Sequence, residues 1–189
     1  MSERPYSKDD AKQGYLIAAL VLAGSLGLGL FGLPRLGRHK AESDSPLSGR
    51  PAQDFMLPAL TADGPGKPQR LSDLQGKTVL LDFFASWCGP CREQAPIVER
   101  LARRLAGPKL AVLGVDTSDQ LTAAQHYFDD SQPNHPILFD GDNVAASAFD
   151  ITGLPTLVLI DKGGIVRAVE SGVVGETQLE DLIREAQSH

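Results

Sequence analysis

Short apolar runs separated by polar turns dominate the chain from residue 51 onward. The run Thr78–Phe84 is almost continuously apolar, which is typical of a central strand covered on both faces. Residues 88–106 instead repeat apolar side chains at intervals of four, which predicts a helix. The pattern therefore predicts a buried strand that is followed closely by a helix.

Strands and helices alternate along the rest of this region. The other predicted strands are FMLPAL (55–60) with a partner inside QRLSDLQGK (69–77), KLAVLGVD (109–116), HPILFD (135–140), TLVLID (156–161) and IVRAVE (165–170). The other predicted helices are residues 121–130, 143–149 and 176–186. The sequence DKGG at 161–164 has turn chemistry and joins the last two strands into a hairpin. This order predicts an α/β sandwich with a mixed sheet.

The N-terminal part has a different pattern, because residues 14–33 form an uncharged run of 20 residues. At about 1.5 Å per residue, such a run can cross a hydrocarbon layer of about 30 Å, and we interpret it as a transmembrane helix. A secretory signal cleaved near the small residues 23–25 and a buried core helix are the alternatives. Three basic residues flank the run on each side, so the flanking charge leaves the orientation open.

These patterns divide the 189 residues into four parts. We predict an N-terminal flank at 1–13, a membrane anchor at 14–33, a flexible tether at 34–50 and a globular domain at 51–189. The tether is rich in Ser, Pro, Gly and charged residues. A chain that is 42% hydrophobic and 22% charged suits one domain with a modest extension.

The charge is unevenly distributed between these parts. Residues 1–50 carry 7 basic and 5 acidic side chains, whereas residues 51–189 carry 11 and 19, which gives the net charge of −6. An acidic domain without aromatic residues among clustered Lys and Arg argues against binding to nucleic acid.

The only two cysteines, Cys88 and Cys91, lie at the predicted start of the helix. There the sulfur of Cys88 faces unpaired backbone N–H groups and the positive end of the helix dipole, which stabilise a thiolate. Pro90 fits the first helical turn, and Gly89 leaves the approach to the sulfur open. Cys91 lies one turn further, so that one thiol can attack a disulfide and the other can resolve the mixed disulfide.

Two other roles for the thiols fit less well. A zinc site needs about four ligands, and the four histidines have no ligand-like spacing. If the two thiols were only buried and inert, packing would not require this spacing at the start of a helix. We therefore expect no metal and no organic cofactor, with the Cys88/Cys91 dithiol as the redox group.

Asp82 is an acid inside the apolar strand, six residues before Cys88. A carboxyl group buried there without a cation has a raised pKa and can exchange a proton near neutral pH. We predict that Asp82 helps to deprotonate Cys91, directly or through water. The alternative is a structural role at a sheet edge or in a loop. Trp87 either shapes the approach to the thiols or packs in the core.

These residues, taken in order, resemble the thioredoxin superfamily. WCGPC at 87–91 matches its active-site motif, Asp82 its buried acid, Pro96 its helix kink and Pro155 its cis-proline. An N-terminal apolar segment followed by DFMLPAL, RLSDLQGKTVLLDFFASWCGPCREQAP and GLPTLVLIDKGGIV resembles, more narrowly, the TlpA/ResA-like thiol-disulfide oxidoreductases. This resemblance covers about residues 50–187.

The resemblance implies a thioredoxin-like three-layer sandwich with a mixed central sheet, preceded by one transmembrane helix. It also implies a single-pass protein of the bacterial cytoplasmic membrane whose domain faces the periplasm or the cell exterior. Family members typically reduce disulfides of proteins, often apocytochrome c, with electrons from a membrane partner. The family pattern further implies a cis bond before Pro155 and pairing of the Leu154 backbone with an extended substrate segment.

One position departs from the pattern of the cytochrome-maturation members. Many of them have an acid three residues after the second cysteine, where this chain has Gln94 beside Glu93. This departure favours a broader reductase of exported proteins. The alternatives are an oxidant that donates disulfides, a peroxide-reducing enzyme, a Cu(I)-binding chaperone and a purely structural interaction module. The expected partners are disulfide-containing proteins, a membrane electron donor and the bilayer through residues 14–33.

Overall fold

The computed structural model describes residues 45–189. The predicted anchor at 14–33 and most of the predicted tether lie outside the described residues. Among residues 45–189, no helix combines the length and the apolar character that a membrane span requires.

Strands and helices alternate through the described part of the chain. The strands are β1 (Met56–Thr61), β2 (Gly64–Arg70), β3 (Thr78–Phe84), β4 (Leu110–Thr117), β5 (Ile137–Asp140), β6 (Thr156–Ile160) and β7 (Val166–Ser171). The α-helices are α1 (Gly89–Leu105), α2 (Leu121–Ser131), α3 (Val144–Ala148) and α4 (Glu176–Gln187), and Leu71–Leu74 form a short 3-10 helix. Except at β2, these bounds agree closely with the predicted segments.

The strands form one mixed sheet in the order β2-β1-β5-β4-β3-β6-β7. Strands β3, β4 and β5 are parallel, and the remaining neighbours pair antiparallel. All seven residues of β3 are buried, as the continuous apolar run predicted. The predicted mixed α/β sheet is therefore confirmed.

The two faces of β3 carry different helices, because successive side chains of a strand point to opposite faces. Leu80 packs with apolar residues of α1 and α4 on one face. Leu81 and Phe83 pack on the other face with Ala145 of α3 and with Phe149. Helices thus cover both faces of the sheet, and Asp82 shares the face of α1 with Leu80.

The second strand is the main difference from the predicted elements. The sequence placed the partner of β1 inside residues 69–77, but β2 is Gly64–Arg70 and the 3-10 helix follows it. This strand contains Pro65 and Pro68, and it lies at the edge of the sheet, where a missing N–H is tolerated. An exposed edge strand needs no apolar pattern, so hydrophobic periodicity does not reveal it.

The last residues of the predicted tether pack against the domain. Leu47 contacts the core, and the N–H of Gly49 donates to the carbonyl oxygen of Val166 at 2.8 Å. The N–H of Val166 donates in return to the carbonyl oxygen of Arg50 at 2.9 Å. Residues 47–50, which were predicted to be tether, therefore pack along β7 as part of the domain.

Candidate active site

The two cysteines lie where the chain passes from β3 into α1, and they form a disulfide with 5.3 Å between their Cα atoms. Cys88 is the N-cap residue of α1, and its Sγ accepts a hydrogen bond from the N–H of Cys91 at 3.2 Å. Pro90 lies in the first turn, as predicted. The predicted contact between the Cys88 sulfur and an unpaired N–H at the helix start is therefore confirmed.

The loop before the cysteines is fixed to the segment that follows β4. The N–H of Ser86 donates to Asp119 Oδ2 at 2.6 Å, and Trp87 Nε1 donates to the carbonyl oxygen of Ser118 at 3.1 Å. Trp87 is nevertheless 64% exposed. Its indole is held by one edge while the ring faces solvent beside Cys88, so the interpretation of Trp87 as a core residue is wrong.

Asp82 lies in the middle of the sheet, paired with Gly114 of β4 on one side and Leu157 of β6 on the other. Its side chain is buried, and Oδ1 has no hydrogen-bond partner among residues 45–189. Burial raises the pKa of this carboxyl group to about 7. The prediction of a buried, unpaired acid is confirmed, and the alternative location at a sheet edge is wrong.

Asp82 and Cys91 line the same cavity, which has a volume of about 240 Å³. Gly114, the strand partner of Asp82, is tightly packed against two side chains of the lining, because a Cβ atom there would lie 2.4 Å from Cδ1 of Ile137 and 3.1 Å from Cε1 of Phe84. The cavity is polar at Asp82 and large enough for several water molecules. Asp82 and Cys91 therefore share one space, and the role of Asp82 in deprotonating Cys91 stays a prediction.

The segment before β6 brings Leu154 and Pro155 to the cysteines. The peptide bond between these two residues is cis, as the family pattern implied. The side chain of Leu154 packs against the apolar cluster that contains Cys88 and Cys91. Among residues 45–189, the backbone of Leu154 takes part in no hydrogen bond. Its N–H and carbonyl groups are therefore available to an extended ligand.

Val173 is a candidate residue that the sequence analysis did not identify. It is 46% exposed and lies between two anchored neighbours. The N–H of Gly172 donates to the carbonyl oxygen of Pro155 at 2.8 Å, and the N–H of Val174 donates to Gln94 Oε1 at 2.7 Å. These two bonds hold Val173 beside the cis-proline. A single exposed valine in a loop gives no sequence signal.

Asp116 is a second buried acid that the sequence analysis did not identify. It lies on β4 beside Phe84, on the same face as Asp82, and neither of its carboxyl oxygens has a partner among the described residues. Burial, and then the nearby negative charge of Asp119, raise the pKa of Asp116 to about 8. The sequence did contain a signal for this acid. Asp116 is the last residue of the predicted apolar strand 109–116, and Asp82 likewise lies inside an apolar strand.

Gln94 has a structural role here. Its side chain is fully buried in α1, and its Oε1 accepts the N–H of Val174 in the segment that leads to α4. This helix position therefore holds a neutral residue that joins two elements. The acid beside the cysteines comes from the strand, as Asp82.

The arrangement is suited to thiol-disulfide exchange. One sulfur caps a helix, the second lies beside a buried acid, and the two are close enough to form a bond. Among residues 45–189, no group of three or more His, Cys, Asp or Glu side chains could hold a metal ion.

Comparisons with known proteins agree with this chemistry. Residues 48–169 match the profile of the AhpC/TSA family. The thiol-disulfide oxidoreductase ResA of Bacillus subtilis (strain 168) is 29% identical over 164 residues, which cover 87% of each chain. The thioredoxin-like protein YneN of the same strain is 33% identical over 138 residues, or 71% of this chain and 78% of that protein.

A solved structure shows the same fold. The thiol:disulfide interchange protein of the thioredoxin family from Chlorobium tepidum TLS superposes with a TM-score of 0.63 at 27% identity, and the match covers 76% of this chain and 99% of that one. The residues matched by the family profile include Asp82, both cysteines and Pro155. The chain therefore belongs to the AhpC/TSA family and is a thioredoxin-like thiol-disulfide oxidoreductase that acts through the Cys88/Cys91 dithiol.

Proposed function

We propose that this oxidoreductase is a membrane-anchored reductase of disulfides in exported proteins. The observation that carries the proposal is the placement of Asp82 and Cys91 on one cavity, behind a Cys88 sulfur that caps α1. A nucleophile near the surface and a resolving thiol with its own proton acceptor are the two parts that a reductase needs.

The proposed reaction has two steps. Cys88 loses its proton to solvent, and its thiolate attacks one sulfur of the target disulfide. This forms a mixed disulfide and releases the first target thiolate, which takes a proton from water. Cys91 then gives its proton to the carboxylate of Asp82 and attacks the sulfur of Cys88. The second target thiolate leaves and is protonated, so two electrons and two protons have passed from the dithiol to the target.

The pKa of Asp82 suits this role. At a pKa of about 7, the carboxyl group is about half ionised near neutral pH. It can therefore accept the proton of Cys91 and release it again in each cycle, whereas an ordinary aspartate would remain ionised and accept it less readily.

The proposed substrate surface surrounds Cys88. The exposed ring of Trp87 and the side chain of Val173 supply apolar contacts. Gly89 and Pro90 are exposed, whereas Cys88 and Cys91 on either side of them are each only 4% exposed. The free backbone groups of Leu154 can pair with an extended segment of the target. Recognition of this kind depends little on target sequence, which favours a reductase with several substrates.

We further propose that residues 14–33 anchor the protein in the bacterial cytoplasmic membrane, with the domain in the periplasm or at the cell exterior. The uncharged run of 20 residues supports the anchor. Disulfide substrates are found mainly outside the cytoplasm, which supports the orientation. The oxidised protein would be reduced again by a membrane electron donor. Apocytochrome c is one candidate substrate, and the neutral Gln94 favours a wider range.

The direction of the reaction is tested by equilibrating the full-length protein with mixtures of reduced and oxidised glutathione. A reductant is oxidised by mixtures that leave a disulfide donor reduced. An equilibrium that keeps the Cys88/Cys91 pair reduced in the presence of largely oxidised glutathione would reject the proposed direction.

Substrates and location are tested together in cells. The variant Cys91→Ser should accumulate mixed disulfides with its targets, and Cys88→Ser is the matched control that should trap none. Trapped proteins from the cytoplasm, or protection of the domain from protease added to spheroplasts, would contradict the proposed orientation.

A further inference from the structure

The cavity behind Cys91 extends from the sheet towards the protein surface. Its lining includes five titratable side chains from four parts of the fold. These are Asp82 of β3, Cys91 and Glu99 of α1, Tyr127 of α2, and His135 before β5. The cavity therefore brings these titratable groups together among apolar side chains such as Phe84, Pro96 and Ile137.

The two acids that line this cavity differ in their access to solvent. Asp82 is buried in the middle of the sheet, whereas the side chain of Glu99 is 25% exposed. Glu99 lies two turns along α1 from Cys91, on the side of the helix that faces the cavity. Of the two acids in the lining, Glu99 is the more exposed, so it is the one that reaches both the cavity and the solvent.

We propose that Glu99 relays protons between Asp82 and bulk solvent during each catalytic cycle. In this proposal Glu99 contacts neither a cysteine sulfur nor the substrate. It acts only through Asp82, as a positioning residue that exchanges protons with that acid. This inference rests on the proposed function of Asp82 in deprotonating Cys91.

The neighbours of Glu99 hold it in place without neutralising it through a fixed ion pair. The N–H of Asn134 lies 3.3 Å from each carboxyl oxygen, and Nδ1 of His135 lies 3.3 Å from Oε1. Burial lowers the pKa of His135 to about 4, so this ring is neutral at pH 7. The contact is therefore one between a carboxyl group and a neutral imidazole.

The proton affinity of Glu99 is shifted towards that of Asp82. Burial raises the pKa of Glu99, while the N–H of Asn134 and the charge of Arg103 act in the opposite direction with smaller effect. Two carboxyl groups with closer pKa values exchange a proton with a smaller barrier than a buried acid and an ordinary surface glutamate.

Tyr127 shows that the acids share one electrostatic environment. Burial raises the pKa of its hydroxyl group, and the charges of Asp82, Asp116 and Glu99 raise it further. Arg92 has the opposite, smaller effect on this pKa. The hydroxyl group therefore stays protonated at neutral pH and can donate a hydrogen bond within the cavity.

The proton balance of the relay is simple. Cys91 transfers its proton to Asp82 as it attacks Cys88, and no electrons move through the relay. At pH 7 about half of the Asp82 side chains already hold a proton, which must pass through cavity water to Glu99 and on to bulk solvent before Asp82 can accept the proton of Cys91. The same path removes the proton again after each attack. The cavity of about 240 Å³ can hold such waters.

The test uses full-length protein and compares Glu99→Gln with Glu93→Gln. Glu93 is an exposed glutamate of the same helix and lies outside the cavity lining, which makes it a matched control. The reduced protein is mixed with an aromatic disulfide that releases a coloured thiolate in two steps. The first release reports attack by Cys88, and the second reports resolution by Cys91.

We expect Glu99→Gln to leave the first release unchanged and to slow the second by roughly 10-fold near pH 7 in dilute buffer. High concentrations of a small buffer such as imidazole should restore the rate, because the buffer carries the proton instead. A loss of packing alone would not respond to buffer concentration. Glu99→Asp, which keeps a carboxyl group, should retain most of the rate.

Equal second-step rates in Glu99→Gln and Glu93→Gln, with no dependence on buffer, would overturn the relay and leave the proposed function intact. A wild-type protein that releases no thiolate, or a Cys88→Ser variant that still releases it in two steps, would reject the proposed function itself. A slow second step in Glu99→Gln that buffer does not restore would also overturn the relay.

Discussion

Two buried carboxyl groups lie towards opposite ends of the central strand β3, and the protein holds them in opposite ways. At the end with the cysteines, Asp82 has an unpaired Oδ1, and burial raises its pKa to about 7. At the other end, Oδ1 of Asp161 accepts the N–H groups of Gly163 at 2.8 Å and Ile165 at 3.0 Å. Its Oδ2 accepts Nε of Arg167 at 2.7 Å. Burial acts to raise the pKa of Asp161, but these hydrogen bonds outweigh it and the pKa is lowered.

The two acids have different roles, because one stabilises the fold and the other costs stability. A buried carboxylate with several donors stabilises the fold, whereas one without donors costs stability above its unfolded pKa. The protein places the costly acid at the end that carries the reactive sulfurs. An unpaired buried acid is useful only where its proton is exchanged. The contrast between Asp82 and Asp161 therefore identifies the end of β3 near the cysteines as the functional site.

The largest expected effect is on the resolution step. Asp82→Asn removes the proton acceptor beside Cys91 and should slow the second release of thiolate by about 100-fold or more, while the first release is retained. Asp161→Asn is the matched control at the other end and should leave both rates unchanged. Rapid mixing at several pH values checks this, because only Asp82→Asn should abolish a rise in rate around pH 7. If the second release were equally fast in Asp82→Asn and Asp161→Asn, Asp82 would have no special role in resolution by Cys91.

The next effect is on stability, with a defined sign. Between pH about 4 and 7, the unfolded chain ionises Asp82 while the folded protein keeps it protonated, so stability falls across this window. Asp82→Asn removes this loss and should raise the free energy of unfolding at pH 8 by on the order of 2–4 kcal/mol. Urea denaturation at pH 5 and pH 8 measures it. Asp116→Asn should behave alike, with a window that extends to pH about 8.

The opposite sign is expected at the other end of the sheet. Asp161→Asn loses charge-assisted bonds to Arg167 and should lower the free energy of unfolding at pH 7 by about 1–3 kcal/mol. The stability that Asp161 supplies is present above its unfolded pKa and is lost as pH falls through its lowered folded pKa. The gap between wild type and variant should therefore close in acid. A variant as stable as wild type at pH 7 would show that the donors do not stabilise this carboxylate.

The smallest effect compares two glycines, one at each end. A Cβ at Gly114 would lie 2.4 Å from Ile137 Cδ1, so Gly114→Ala should cost about 1–2 kcal/mol and slow resolution by narrowing the cavity. A Cβ at Gly163 meets only Asp161 Oδ1, at 3.2 Å, so Gly163→Ala should cost less and leave the rate unchanged. Thermal denaturation and the two-step release assay separate the two variants. Equal losses of stability would show that the space beside Asp82 is not tightly bounded.

Much of the site could be predicted from short stretches of sequence. The apolar run Thr78–Phe84 predicted a buried strand, and an acid inside such a run is buried whichever strands flank it. Cys88 at the N-cap followed from the start of helical periodicity and from Pro90 in the first turn. These features depend on neighbours within a few residues, so local reasoning was sufficient.

Other features depend on pairing between distant segments. Strand β2 is polar and rich in Pro and Gly, and only its contact with β1 makes it a strand. Val173 reaches the site because Gly172 and Val174 bind to Pro155 and Gln94. The common cavity of Asp82, Cys91 and Glu99 likewise requires β3, α1 and α2 to be assembled.

The sequence by itself determined the order of the elements, the cysteines at the start of a helix and an acid inside a central strand. These follow from periodicity and from the unpaired amides that every helix start has. Only the tertiary structure decided that Asp82 lacks a donor, that Asp161 has several, and that a cavity joins Asp82 to Glu99. The physical reason is that a pKa reflects the solvation and the partners of a group, and the folded chain brings these from positions far apart in sequence.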